Sequence, residues 1–156
     1  AELCHLFGCE IAAYDLFPKK NAPEYLHYGT LEEVLSKSDI VTLHCPLTED
    51  SRNLINQDRI AQMKKGAILI NAARGPIVDS KALADALNSG YLRGAGVDVF
   101  EMEPPLPMDH PLLHSINTIV TPHIAFASDE SMEIRAKIVF ENIQKWMNKE
   151  QVNIIL

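Results

Sequence analysis

The sequence predicts an α/β fold, a doubly wound parallel sheet with helices on its faces. Three observations predict it. Apolar runs of four or five residues, too short for helices, recur along the chain. Amphipathic stretches opened by N-cap residues lie between them, and each run is arrested by a polar or charged residue. At 156 residues and 47% hydrophobic content the chain is long enough to bury a core as one domain.

The elements follow in order. Leu3, Leu6 and Phe7 have helical spacing, and Gly8 is a helix stop. Glu10 to Tyr14 is a short strand ending at Asp15, with Leu16 to Lys20 as the loop beyond it. Thr30 and Glu33 form a capping box for a helix running to about Lys37. Asp39 to Leu43 is the next strand, closed by His44-Cys45-Pro46. Asn56 caps a helix whose Ile60 and Met63 face inward, and Lys64-Lys65-Gly66 ends it with cations at the negative helix end.

The central stretch is Gly66 to Asp79. Ala67 to Ile70 reads as a parallel strand covered on both faces, and it delivers Arg74 to a turn built by Gly75 and Pro76. Asp79 then caps a helix starting at Ser80, with Leu83 and Leu87 on its apolar face. Gly94 to Val99 is a small-residue strand. Phe100 to Ser115 is irregular and proline-rich, and Thr118 to Val120 is the last strand. Ser128 caps the final helix, with Asp129 and Glu130 at its positive end. Its stripe of Met132, Ala136, Val139, Ile143, Trp146 and Met147 is expected to pack rather than to bind a ligand.

A net charge of −7 argues against nucleic acid or an anionic membrane as partner, since either needs an excess of Lys and Arg. No apolar run approaches the roughly 18 residues of a membrane helix, and no signal peptide is visible, so a cytoplasmic protein is expected. The three cysteines, odd in number and without a CxxC, suit a reducing compartment. Cys4, His5 and Cys9 are expected in core packing rather than around a metal, because Cys4 and His5 are adjacent and a fourth ligand is missing. No metal site is expected.

Asp15, Arg74, Asp98 and His123 all stand at or just past the carboxyl ends of predicted strands, and Glu103 follows Asp98 in the next loop. In an open parallel sheet those ends share one edge, where ligands bind. A carboxylate at Asp15 suits both ribose hydroxyls of an adenosine, and equally a helix cap or a surface charge. Arg74 suits a bidentate grip on a carboxylate, and equally a structural clamp on carbonyls. His123 with Glu103 has the makings of a general acid and base, while a lone His after Pro is also a common loop residue. Asp98 could simply stabilise its loop. His27, His44, His110 and His114 read as structural or surface residues.

At these residues the chain resembles the D-isomer-specific 2-hydroxyacid dehydrogenase family. Asn71 to Asp79 resembles the family's arginine motif, Gly96 to Pro104 its acid motif, and Thr121-Pro122-His123-Ile124-Ala125 its histidine motif. His44-Cys45-Pro46-Leu47-Thr48 resembles the loop against the adenosine half of NAD. The resemblance implies a Rossmann-like fold, NAD as cofactor and hydride transfer between NAD(H) and a small D-2-hydroxy or 2-oxo acid. It implies that Arg74 binds and polarises the oxo acid, His123 is the proton donor, Glu103 supports the imidazolium and Asp98 contacts the nicotinamide amide. Asp15, His44, Cys45, Pro46, Ala72, Ala73, Arg74, Asp98 and His123 would contact the cofactor. A small 2-hydroxy or 2-oxo acid and a second copy, giving a homodimer, are the expected partners. A different class of reading is an NAD(H)-sensing module that regulates a partner without turnover, as corepressors resembling this family do.

The family's Gly-x-Gly-x-x-Gly turn and its preceding strand do not occur in this sequence. Residues 1–126 are expected to form an NAD-binding domain lacking them, and residues 127–156 a return helix and tail directed at a substrate domain. With the strand order 3-2-1-4-5-6, a gap is expected between the strand ending at Tyr14 and the strand ending at Asn71. The 156 residues alone are expected to be inactive.

Overall fold

The computed structural model describes residues 1–102 and 105–154. It divides into two units, Ala1–Pro122 and His123–Leu156. Among its described residues the first contains the α-helices α1 (Glu2–Leu6), α2 (Leu31–Lys37), α3 (Gln57–Gln62) and α4 (Ser80–Asn88). Its strands are β1 (Ile11–Ala13), β2 (Leu26–Tyr28), β3 (Ile40–Leu43), β4 (Ile68–Asn71), β5 (Gly94–Val97) and β6 (Thr118–Val120). The second contains α5 (Asp129–Met147).

All strand pairing is parallel. β3-β4-β5-β6 form a four-stranded sheet, and β1 and β2 form a separate pair. β2 was absent from the elements expected from sequence, since Leu26-His27-Tyr28 is too short to show a period. Its presence moves the count by one. The sheet edge nearest in sequence to β1 is therefore β3, with β4 inside the sheet between β3 and β5, and the expected gap beside the strand ending at Asn71 is corrected accordingly.

The helix starts are held as their sequences dictate. Thr30 Oγ1 accepts from Glu33 N while Glu33 reaches back to Thr30 N, completing the capping box of α2. Asn56 accepts from Arg59 N, and Asp79 from Ala82 N. The helices and one face of the sheet share a single core of Leu35, Ile60, Met63, Leu83 and Leu87 with Val41, Leu69, Ala95 and Val97. Val41, Leu69 and Ala95 stand opposite one another in the register. The next row, Thr42, Ile70, Gly96 and Ile119, points to the other face. On that face Ile40 is 57% exposed and Ile119 74%. The expectation that Ala67 to Ile70 is covered on both faces is thus corrected, because Leu69 is buried while Ile70 is open.

Two further expectations change. Cys4 and Cys9 are exposed rather than packed in a core, because α1 buries none of its residues. His5 stacks on Tyr25 instead, with ring centroids 4.2 Å apart. α5 is opened by a Ser128 box closed through Ser131, yet it buries none of its residues, and Trp146 and Met147 are exposed. A helical period marks a face fit for packing but cannot name the surface that covers it.

Candidate active site

The arginine loop is built outward from β4. Asn71, the last residue of that strand, is 1% exposed, and its side chain works on both sides of the turn. Its Oδ1 accepts from Ala73 N at 3.1 Å and its Nδ2 donates to the Arg74 carbonyl at 3.1 Å. A buried amide with both ends paired fixes a turn, since leaving either end unpaired costs about 1–3 kcal/mol. Gly75 to Ile77 follow as a 3-10 turn. Its exit is pinned where Asn53 N donates to Pro76 O, Ile55 N to Ile77 O and Asp79 N to Ile55 O. Only glycine fits at position 75, because a Cβ there would lie 1.8 Å from the Phe100 carbonyl carbon.

Arg74 stands exposed at the head of this loop, with Ala72 exposed and Ala73 buried beside it. Its Nη1 donates to the Ala73 carbonyl at 2.6 Å. Among the described residues it makes no ion pair. Both uses of the side chain are therefore compatible, because one N–H braces the loop and the rest of the five-donor fork faces outward.

The acid motif is tied to this loop through the backbone. Asp98 N donates to Asn71 O at 2.9 Å, and Thr121 N to Val97 O at 3.0 Å. Asp98 is 6% exposed and its Oδ1 accepts from Thr121 Oγ1 at 2.5 Å. The ends of β4, β5 and β6 are thereby cross-linked side by side, with Asp98 bonded to Asn71 at the foot of the arginine loop and to Thr121 beyond β6. Glu103 lies outside the described residues.

His44, just after β3, is exposed and its Nε2 bonds Thr42 Oγ1 at 3.0 Å. Cys45 is half-buried, and burial, only partly offset by a backbone hydrogen bond, pushes its thiol above the ordinary value. Pro46 is exposed, with its carbonyl accepting from Ser51 Oγ. Asp15, beyond β1, is exposed and its Oδ1 accepts from Phe17 N at 2.8 Å. His123 opens the second unit in the left-handed region, with φ 58°, and meets Phe126 edge to face at 5.9 Å. Arg135 lies over the same Phe126 ring at 5.2 Å. Among the described residues no cluster of three or more His, Cys, Asp or Glu could hold a metal ion.

Sequence reasoning gave no role to Asn71, Thr121, Glu101 or His110. His110, read as structural or surface, is 5% exposed, with Nε2 at 3.1 Å from Glu101 Oε1. Burial raises the Glu101 carboxyl, but backbone, Ser80 and His110 hydrogen bonds hold it below the ordinary value. The one available signal was that Asn71, Glu101 and Thr121 fall inside the three motifs. Which of them turn inward is a matter of packing.

The model of the D-isomer specific 2-hydroxyacid dehydrogenase NAD-binding domain matches residues 1–125. The chain belongs to this family. This dehydrogenase domain is 39% identical over 158 aligned residues to a glycerate dehydrogenase of Methylorubrum extorquens, covering 99% of the chain and 48% of that protein. It is 37% identical to a hydroxypyruvate reductase of Blautia hydrogenotrophica, again over 99% of the chain and 48% of the relative. Among solved structures, D-lactate dehydrogenase with NAD+ from Lactobacillus jensenii superposes with a TM-score of 0.90 at 32% identity, over 100% of this chain and 51% of that one. The chain thus spans about half the length of the curated relatives it matches. The fold of the dehydrogenase domain is accordingly the Rossmann-like parallel α/β architecture of those enzymes.

Its donor set fits a dinucleotide. The Asp15 carboxylate is exposed and of the kind that accepts from hydroxyls, and Ala72 is exposed at the arginine loop.

Proposed function

We propose that this chain is the NAD-binding part of an oxidoreductase that interconverts a small D-2-hydroxy acid and its 2-oxo acid. The observation that carries the reading is the arginine loop. In a chain of this family, Asn71 braces both sides of the turn that presents an exposed Arg74, and the backbone of its strand end is bonded to that of the buried Asp98.

NADH, when bound, supplies the hydride that reduces the substrate's carbonyl carbon. Arg74 binds the carboxylate of the 2-oxo acid and polarises its carbonyl, since an anion whose oxygen gains negative charge needs a fixed cation. His123 gives that oxygen a proton from its imidazole N–H. Glu103 supports the protonated imidazole that donates it. Asp98, held by Thr121, accepts from the nicotinamide amide, and Asp15 accepts from the adenosine ribose hydroxyls. His44, Cys45 and Pro46 line the adenosine side, and Ala72 and Ala73 also contact the cofactor. Residues 1–126 serve as the NAD-binding domain and residues 127–156 as the return helix and tail, in a cytoplasmic homodimer.

The test is NADH oxidation by the full-length protein with glyoxylate, hydroxypyruvate, pyruvate and 3-phosphohydroxypyruvate. Turnover of at least one is expected, with a higher kcat/KM for NADH than for NADPH because Asp15 repels a 2′-phosphate. No turnover of any 2-oxo acid would overturn the activity, and a preference for NADPH would overturn the role of Asp15.

A further inference from the structure

Glu101 and His110 sit at the two ends of the proline-rich loop that carries Glu103, and neither is used in the chemistry above. Glu101 Oε1 accepts from His110 Nε2 at 3.1 Å, and Oε2 accepts from Ser80 Oγ at 2.9 Å. His110 Nδ1 accepts from Leu112 N at 3.3 Å, which leaves Nε2 to carry the proton. The imidazole is also held edge to face against Phe100 at 5.3 Å. Phe100 in turn presses its backbone on Gly75 of the arginine loop.

A surface ion pair contributes little because water competes for both partners. This pair differs in that the His110 side chain is only 4% exposed, so loss of its acceptor leaves a buried N–H unsatisfied. One carboxylate thereby joins three segments, namely the first residue of α4 just past the arginine loop, the start of the acid loop and its far end.

We propose that Glu101 and His110 are positioning residues, forming a latch that ties both to the start of α4 and so steadies Phe100 against Gly75 in the arginine loop. The inference rests on the proposed dehydrogenase reading for its catalytic consequence, but not for the latch itself.

The test uses the full-length protein and two readouts. In hydrogen exchange, Glu101→Ala is expected to speed amide exchange across residues 105–114 by about ten- to a hundredfold, the range expected for orphaning one buried donor. Glu101→Gln keeps an acceptor for His110 and should restore most of the protection. In kinetics, Glu101→Ala should lower kcat for 2-oxo acid reduction by about tenfold or more, as a misplaced catalytic group does, with the KM for NADH within about twofold. Unchanged exchange in Glu101→Ala, or no rescue by Gln, overturns the latch. Faster exchange with unchanged kcat overturns its positioning role and leaves a purely structural pair. If the parent protein reduces no 2-oxo acid, the proposed activity fails while the exchange readout still decides the latch.

Discussion

At Arg74 the guanidinium braces Ala73 O with one N–H, and in the proposed role its remaining donors grip the substrate carboxylate. An ammonium could keep the charge but not the planar fork. Arg74→Ala is therefore expected to remove most of the activity of the full-length enzyme, and Arg74→Lys to restore only part of kcat/KM. A lysine variant as active as the parent would refute the clamp. For His123→Ala the expected loss in kcat is about a hundredfold to ten-thousandfold, with NADH affinity nearly retained in a fluorescence titration. Equal weakening of NADH binding would mark His123 as a cofactor or structural residue instead. Glu101 predicts a pH dependence of stability. Its folded-state carboxyl titrates below the ordinary value of 4.5, so its contribution is fully present above that pH and is lost as pH falls through the lower folded value. The gap in Tm between the parent and Glu101→Gln should accordingly narrow on acidification, and a gap that widens would show the opposite sign.

At the scale of the elements, short strands and short helices depend on what holds their ends. α4 starts immediately after the arginine loop, and Asp79 satisfies the amide of Ala82 there while Leu83, Ala84 and Leu87 bury the helix against the sheet. Asp79→Ala is expected to cost about 0.5–2 kcal/mol and Asp79→Asn much less, because Asn keeps the capping oxygen. Chemical denaturation of the full-length protein reads the difference, and equal losses in the two variants would show that the charge, not the cap, matters. The helix starts at Thr30, Asn56, Asp79 and Ser128 were legible in the sequence because a cap is local chemistry within three residues. β2 was not legible, since its three residues become a strand through their register with Ile11–Ala13.

At the scale of the whole chain, the open face of the β3-β6 sheet and the uncovered α5 leave much apolar surface in water, with Ile119 and Trp146 both more than half exposed. Exposed apolar surface on each unit favours association. Ala1 to Leu156 expressed alone is expected to bind no measurable NADH and to be aggregated or partly disordered. A cooperative thermal melt from a monomer with micromolar NADH affinity would contradict this.

The sequence by itself determined the parallel α/β class, the helix caps and the three motifs at the strand ends, because each of these is set by composition or by residues a few positions apart. It placed Arg74 and Asp98 at one edge as well, since parallel order carries all strand ends to the same side, while the structure made their strands neighbours. Only the tertiary structure decided that Asn71 braces the arginine loop from both sides, that Gly75 touches the Phe100 backbone, and that His110 is buried on Glu101. It alone decided that Cys4 and Cys9 are exposed and that the sheet has one open face. The physical reason is that periodicity fixes which residues share a face, whereas burial depends on what other part of the molecule covers that face.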